Sequence, residues 1–418
     1  MAGDFIGLQQ PIGEGGIRTV NFFNGRLLKG SDLGREQAAR READARIGQA
    51  MGDGVAYGLD VSFAGKIAPG NRPAARVRAG LAVNREGRTL RLAHDVLLAL
   101  GREAAVGATV VCLFDDCPGL SEGAYVVGQG LFLLTIAPAY AQEGRAQASG
   151  LDQANVRCNI DATVEGVQFR LIEIAPSHFS ETTFGAANFR NHIAYRAFGT
   201  GVTATWPENL LGVAPRDVDL IAELRPHGLG DAEVPLALLA FTGSFDHLFT
   251  DNWCVRRRVA PPDARSVFAN LSAPRRASVG EAMFRQFQTH IDELAGTGRV
   301  IAPATARGQF RYLPPAGILP WITDRAVADF FAGMTVRGPV HINAPSVEPL
   351  LRESLVAPAI SSDSAEAVWL YRVAETAMAQ PSAAPVLIFA SGHLPYRADA
   401  RFELFHWDYA NVIPMPRE

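Results

Sequence analysis

Two histidines and an acid near the C-terminus are the first residues whose types could do chemistry. His393, His406 and Asp408 could ligate a metal ion, or one histidine could act as a base oriented by the acid. The separation of the two histidines fits the two ends of a hairpin. No serine or cysteine in a GxSxG elbow accompanies them, so a histidine packed at a sheet edge is the favoured interpretation.

Two further groups contain residue types that could do chemistry, but their sequence context favours a structural role. Asp115 and Asp116 could bind a cation or act as acid and base, but a turn before Cys117-Pro118-Gly119 explains both carboxylates. Asp246-His247 and Trp253-Cys254 could form a Cys/His pair. No group that would lower the pKa of the thiol is visible in the sequence, so a structural role is favoured.

No cofactor or metal motif is complete. The loop Ile12-Gly13-Glu14-Gly15-Gly16 lacks the lysine and hydroxyl of a phosphate-binding loop and opens no predicted helix. The cysteines have no zinc-finger spacing and are expected to be free thiols; they are Cys112, Cys117, Cys158 and Cys254. The sequence therefore predicts no catalytic, cofactor-binding or metal-binding residue.

Composition describes an ordinary globular protein. The 418 residues are 48% hydrophobic and 20% charged, enough for two or three domains. A net charge of −4 argues against nucleic acid as a partner, and Arg256-Arg257-Arg258 is interpreted as a solvated strand end. The N-terminus has no signal-peptide pattern and no apolar run is long enough to span a membrane. We therefore expect synthesis in the cytoplasm without export by the usual signal.

The N-terminal elements are an arm, a turn and a charged helix. Asn24-Gly25 favours a turn with positive φ, and Ser31 or Asp32 is expected to cap a helix over residues 32–50. That helix has poor apolar periodicity, so it either bridges solvent or packs its alanines on another chain.

Alternating apolar residues predict an antiparallel, sandwich-like or barrel-like sheet domain after this helix. A hairpin is predicted over Val77–Leu92, and Ala141–Gln153 is expected to be a long hairpin loop. The other predicted strands are Val110–Phe114, Gly130–Ile136, Val156–Val164, Val167–Ile174, Val234–Thr242 and an exposed one at Asn252–Val259.

The C-terminal part alternates helices and strands. Apolar spacing of 3.6 predicts a helix from about Ser278 to Ala295. Beyond it we expect strands at Thr335–Asn343, Ala367–Val373, Val386–Ala390 and Ala400–Trp407 and a helix at Ser346–Val356. The predicted fold class is α+β and β-rich. Its units are 1–52 (arm, anchor segment and helix), 53–270 (sheet domain with a helical insertion near 177–232) and 271–418 (helix and small α+β domain).

Several aromatic residues lie beside turns and prolines, where large apolar groups anchor segments against partners. They are Phe22, Phe23, Trp321, Phe330 and Phe331, and core packing is the default interpretation for them. Trp321, Trp369 and Trp407 could alternatively provide stacking faces for sugars.

The stretch from Val20 to Val61 resembles proteins encoded with contractile injection systems and phage-tail-like particles. The family pattern FFNGRLLTAEDL matches Phe22-Phe23-Asn24-Gly25-Arg26-Leu27-Leu28, followed by Ser31-Asp32-Leu33 and Glu36-Gln37. Its GxGVxxGLEV-like strand is similar to Gly54–Val61. Val77–Leu92 and Tyr312–Pro320 are similar to the hairpin and the YLPPAGxLP segment of these proteins.

The resemblance implies a non-enzymatic structural subunit of the baseplate or its fibres. Its partners would be baseplate, sheath or fibre proteins, in a homo- or hetero-oligomer without nucleic acid or a membrane span. The hypothetical assembly interface comprises Phe22, Phe23, Asn24, Gly25, Arg26, Leu27 and Leu28. A carbohydrate- or receptor-binding module of such a particle is the alternative, and a hydrolase using His393, His406 and Asp408 is the least supported hypothesis.

Overall fold

The protein has an α+β, β-rich fold, as the sequence predicts. A computed structural model describes residues 15–68, 71–101, 124–146, 159–179, 182–199, 219–260, 273–296, 305–320, 324–355, 357–363, 367–374 and 386–391. The helices among them are α1 (Gly30–Met51), α2 (Phe189–Phe198), α3 (Leu220–Leu224), α4 (Ala273–Gly296), α5 (Ala306–Gln309), α6 (Asp324–Phe330) and α7 (Val347–Leu355).

Two small antiparallel sheets follow α1. The first has the order β1 (Gly54–Gly58), β4 (Gly80–Val83) and β5 (Thr89–Leu92), and β4 with β5 forms the predicted hairpin. The second has the order β2 (Val61–Ile67), β3 (Arg72–Val77) and β6 (Val96–Ala99).

A larger antiparallel sheet has the order β10 (His247–Asp251), β9 (Val234–Phe241), β7 (Gly130–Ala146) and β8 (Asn159–Ile174). Its two long strands correct the sequence analysis in two ways. Val156–Val164 and Val167–Ile174 were predicted as separate strands, but Asn159–Ile174 is one continuous strand. The first part of the predicted loop Ala141–Gln153 is also strand, as far as Ala146.

These two strands extend beyond the sheet. β9 pairs with β7 only from Gly130 to Ile136, whereas β8 pairs with β7 as far as Ala146. The remainder, Ala137–Ala146 with Asn159–Gln168, is a two-stranded ribbon. The small polar residues that suggested a loop therefore belong to a projecting ribbon with little core to cover.

The larger sheet separates two cores because side chains alternate between its faces. Phe132 and Leu134 of β7 face the small sheets and pack with Val61, Val77 and Leu90. Leu131 and Leu133 point to the opposite face, where the insertion provides Phe179, Phe189, Ile193, Leu220 and Leu224. This arrangement explains why every residue of β9 is buried.

The segment Asn252–Val259 was predicted to be an exposed strand, and that prediction is wrong. The segment forms turns and single bridges, and Val55 donates its N–H to Arg257 O at 2.8 Å. Asn252 donates its side-chain amide to Val61 O (2.9 Å) and accepts from Val61 N (2.8 Å), replacing a strand neighbour.

The C-terminal part contains a mixed sheet and a small strand pair. The sheet has the order β12 (Ala316–Leu319), β16 (Leu387–Ala390), β15 (Val368–Ala374) and β13 (Val336–Asn343), with β13 parallel to β15. β11 (Tyr312–Leu313) pairs with β14 (Ile360–Ser361). Leu387 and Phe389 face α4 and α6, whereas Ile388 and Ala390 face the side of α7. The predicted strands Val110–Phe114 and Ala400–Trp407 lie outside the described residues.

Helix α2 links the two parts. Arg190 donates to Asp251 of β10 (2.9 Å) and to Glu293 of α4 (2.5 Å), and Gln286 donates to the same Asp251 carboxylate (3.0 Å). Burial disfavours the charge of Arg190, but the two carboxylates raise its pKa. Asn191 accepts from the backbone N–H of Arg311 at 2.7 Å. These ion pairs and hydrogen bonds offset the free-energy cost of burying the charges of Arg190 and Asp251.

Candidate functional site

The anchor segment, Phe22–Leu28, is built around the predicted turn. Arg26 N donates to Phe23 O at 3.2 Å, with Asn24 and Gly25 at the centre of the turn. Gly25 has φ 93°, a conformation that other residues rarely adopt. The turn therefore fixes the direction in which the aromatic and aliphatic side chains point.

Helix α1 begins earlier than predicted and uses a different cap. Lys29 is the N-cap, so neither Ser31 nor Asp32 occupies that position, and Asp32 lies in the first turn as the N3 member of a capping box. Instead, the Asp32 carboxylate accepts from Lys29 N (3.2 Å) and from the Arg26 guanidinium (2.8 Å). These two hydrogen bonds lower the pKa of Asp32. They tie the anchor segment to the start of the helix, and Arg26 also donates to Asn21 O (2.9 Å).

The residues before the anchor run back along α1. Val20 is buried and donates its N–H to Glu36 at 3.4 Å, and Arg46 donates to Gly15 O at 2.6 Å. Since Val20 meets Glu36 and Gly15 meets Arg46, the arm (residues 15–21) runs antiparallel to the helix. Ala39 of α1 is buried, with 6% of its surface exposed.

The anchor presents its apolar side chains to solvent. The exposed fractions are 51% for Phe22, 63% for Phe23, 86% for Leu27 and 58% for Leu28. Leu33, Ile47 and Met51 of α1 are exposed as well. Seven of the fourteen exposed large apolar side chains of the described chain thus fall between residues 22 and 51, so this exposure is clustered. Clustered exposed apolar groups mark interaction surfaces.

Helix α1 contacts the sheet domain near its C-terminal end. Gly48 lies against Gly87 in the β4–β5 turn, so closely that a Cβ on Gly48 would be 2.0 Å from Gly87 O. Gln49 donates to Glu86 O at 3.2 Å. The C-terminal end of the helix therefore packs on the hairpin turn, and most of the helix is exposed.

A groove of about 1030 Å³ lies between α1, the β4–β5 hairpin and the β7–β8 ribbon. Ile47 and Met51 line it from the helix, Leu81 from the hairpin and Tyr140 from the ribbon. Arg88 donates to the Tyr140 hydroxyl at 2.8 Å and so connects the hairpin with the ribbon. The groove could not be predicted from the sequence because its walls come from three segments that are far apart in the chain.

The Cys/His pair considered from the sequence does not form a nucleophile. The His247 ring stacks on Phe63 with centroids 4.3 Å apart, and burial followed by the nearby charge of Arg190 lowers its pKa to about 4. Cys254 is buried, and burial together with Asp251 raises the pKa of its thiol. Asp246 pairs with Lys66 at 3.1 Å. These residues support the structural interpretation.

The basic run Arg256-Arg257-Arg258 is not a solvated strand end. Arg256 is buried, donates to Asp60 at 2.7 Å and to Gly58 O, and lies over the Trp253 ring. Arg257 donates to the carbonyls of Trp253 and Cys254. Two of the three guanidiniums therefore hold the 252–258 turns in place.

Other aromatic candidates are core residues. Phe330 and Phe331 pack in the C-terminal core, and Trp369 is buried, so Trp369 provides no stacking face for a sugar. The remaining sequence candidates lie outside the described residues: Asp115, Asp116, Trp321, His393, His406, Trp407 and Asp408.

Within the described ranges, no three His, Cys, Asp or Glu side chains come close enough to hold a metal ion. No described helix is long and apolar enough to cross a membrane. Neither the protein-family models nor the curated proteins contain a match to this chain. The anchor segment at the start of α1 and the groove beside the later part of the helix are the best-defined candidate surfaces among the described residues, and both are suited to binding.

Proposed function

We propose that the protein is a non-enzymatic structural subunit of a contractile injection system or phage-tail-like particle. Its place would be in the baseplate or the fibres, where it acts by protein–protein assembly. The observation that carries the proposal is the anchor: Phe22, Phe23, Leu27 and Leu28 are held outward on a hydrogen-bonded turn. The sequence of this segment is also where the resemblance to such proteins is strongest.

The arm and helix α1 are organised for presenting this segment. Arg26, Asp32 and Lys29 fix the anchor to the helix end, and Gly48 fixes the other end of the helix to the hairpin. A largely exposed helix with little apolar face does not stabilise a core. The same helix can act as a spacer that holds the docking segment away from the sheet domain.

The energetics favour docking within a multi-site particle. Full burial of one large apolar side chain contributes about 1.5–3 kcal/mol. Association itself costs about 4–15 kcal/mol in lost freedom. The four exposed side chains of the anchor therefore bind a partner only weakly on their own. Their binding becomes effective when neighbouring subunits raise the local concentration of the partner. Synthesis in the cytoplasm and subsequent assembly with baseplate, sheath or fibre proteins fit this behaviour.

The test replaces both aromatic residues of the anchor. The variant Phe22→Ala/Phe23→Ala should fold normally, because both side chains are exposed, yet fail to enter the particle. Folding is checked by circular dichroism and thermal melting, and incorporation by blotting purified particles. A matched control is Leu97→Ala/Val127→Ala, which removes two exposed apolar side chains elsewhere. Normal incorporation of the folded anchor variant would remove the docking role.

A further inference from the structure

The groove beside helix α1 has the chemistry to receive a basic, apolar segment. Ile47, Met51, Leu81 and Tyr140 give it apolar surface. The charged side chains that line it are four carboxylates, Glu42, Asp44, Glu86 and Glu165, and two guanidiniums, Arg41 and Arg88. Arg46 pairs with Glu42 at 2.6 Å, so the groove and its edge together carry an excess of one negative charge. Opposite charge on a partner would both attract and orient it.

The arm and anchor of this same chain have the complementary character. Residues 15–29 contain three basic side chains, Arg18, Arg26 and Lys29, and no acid. Between them lie the four exposed apolar side chains of the anchor. Arg26 is paired with Asp32, whereas Arg18 and Lys29 are exposed on either side of the anchor.

An anchor cannot reach the groove of its own chain. The anchor precedes the first residue of α1, Gly30, whereas the groove is lined by helix residues from Ala38 to Met51. At 1.5 Å per residue, the lining begins about 12 Å along the helix from Gly30, and its large apolar residues, Ile47 and Met51, lie about 26 and 32 Å along it. The hydrogen bonds of Arg26 and Asp32 hold the anchor at its own end. Any anchor in the groove therefore comes from another molecule.

We infer that the groove receives the anchor segment of a second copy of this protein. The inference rests on the proposed function, since it names the partner of the same anchor. Phe22, Phe23, Leu27 and Leu28 of one copy would cover the apolar surface around Ile47 and Met51 of the next, and the flanking basic residues would face the acidic rim. Such a contact is head-to-tail, so repeated copies would form a closed ring or an open helical array.

The head-to-tail geometry has a specific test with two variants of the full-length chain. Phe22→Ala/Phe23→Ala removes the anchor and keeps the groove. Ile47→Arg/Glu165→Arg keeps the anchor and makes the groove basic, at two exposed positions. Light scattering after size-exclusion chromatography should show concentration-dependent oligomers for the wild type and a monomer for each variant.

Mixing the two variants should produce a dimer that does not grow. Each dimer joins the intact anchor of one variant to the intact groove of the other, and leaves only a mutated anchor and a mutated groove free. A control with the same change in charge, Leu97→Arg/Asp161→Arg, alters exposed residues that do not line the groove. This control should oligomerise like the wild type.

A wild type that stays monomeric at the highest soluble concentration would overturn the inference. The inference would also be overturned if the anchor and groove variants stayed monomeric when mixed. It would equally be overturned if the control Leu97→Arg/Asp161→Arg lost its oligomers as the groove variant does. These results leave the proposed function standing if the anchor variant is still excluded from particles, because the anchor would then dock on a different protein. Oligomers that follow the mixing rule, from a chain never found in particles, would instead refute the proposed function.

Discussion

Individual arginines show how a residue's role depends on partners distant in the sequence. Arg170 pairs with Glu233, Arg190 with Asp251 and Arg256 with Asp60, and each of these arginines is buried. The prediction that Arg256 is solvated was wrong. Arginine is usually exposed, and the partner of Arg256, Asp60, lies 196 residues away in the chain. The anchor turn was predictable because all of its determinants lie within a few residues.

His290 provides a residue-scale prediction. It is buried on α4 against Phe310, with ring centroids 4.9 Å apart, and its Nδ1 has no hydrogen-bond partner among the described residues. Burial, followed by the charge of Arg190 and opposed by Asp251, lowers its pKa to about 3. The unfolded chain has a histidine pKa of about 6.5 and binds the proton first. His290 alone should therefore lower the free energy of unfolding as the pH falls below 6.5, by about 2 kcal/mol at pH 5.

The measurement is urea denaturation at pH 7 and pH 5. His290→Gln should lose about 2 kcal/mol of the difference between the two pH values. His341→Gln should behave like the wild type, because His341 is an exposed residue of β13. An unchanged pH dependence in His290→Gln would contradict the buried, neutral state assigned to this side chain.

At the scale of elements, local sequence patterns predicted α1, α4, α7 and many of the strands, but not α3, α5 or α6 and not how the elements project. The helix predicted at 32–50 is α1, and the hairpin predicted over Val77–Leu92 is β4 and β5, which span Gly80–Leu92, while Val77 ends β3. The ribbon was missed because its small and polar residues resemble a loop when no core covers them. The contact between α1 and the hairpin turn was not predicted because nothing in the sequence indicates that Gly48 packs against Gly87.

Gly48 and Gly34 provide a matched pair of substitutions in α1. Alanine normally stabilises a helix relative to glycine by about 1 kcal/mol. Gly34→Ala should show that gain, because a Cβ there meets no atom within 4 Å. Gly48→Ala should destabilise the protein, because its Cβ would lie 2.0 Å from Gly87 O and push the helix off the hairpin.

Chemical denaturation gives the stability of both alanine variants, and hydrogen exchange of residues 30–51 reports whether α1 has detached. Faster exchange is expected for Gly48→Ala alone. Equal gains in stability for Gly34→Ala and Gly48→Ala would show that α1 does not pack on the hairpin turn at Gly48.

At the scale of the whole molecule, fold class was predictable and the binding surface was predictable only in part. Apolar alternation and a 3.6-residue period gave the α+β, β-rich class, since they depend on local sequence alone. The division into units 1–52, 53–270 and 271–418 stays a prediction. The anchor was identified from its motif, whereas the groove required the hairpin, the ribbon and α1 to be brought together. A helix, an arm and a ribbon that project from packed cores are suited to contacts with neighbouring subunits.

The central claim, that this chain is a particle subunit, is tested most directly by purifying the tagged protein from its native host without crosslinking. The eluate is imaged by electron microscopy, and its components are identified by mass spectrometry. We predict sheathed, tail-like particles together with sheath and baseplate proteins, all of them lost with the Phe22→Ala/Phe23→Ala variant. A wild-type protein that purifies without such companions would contradict the claim.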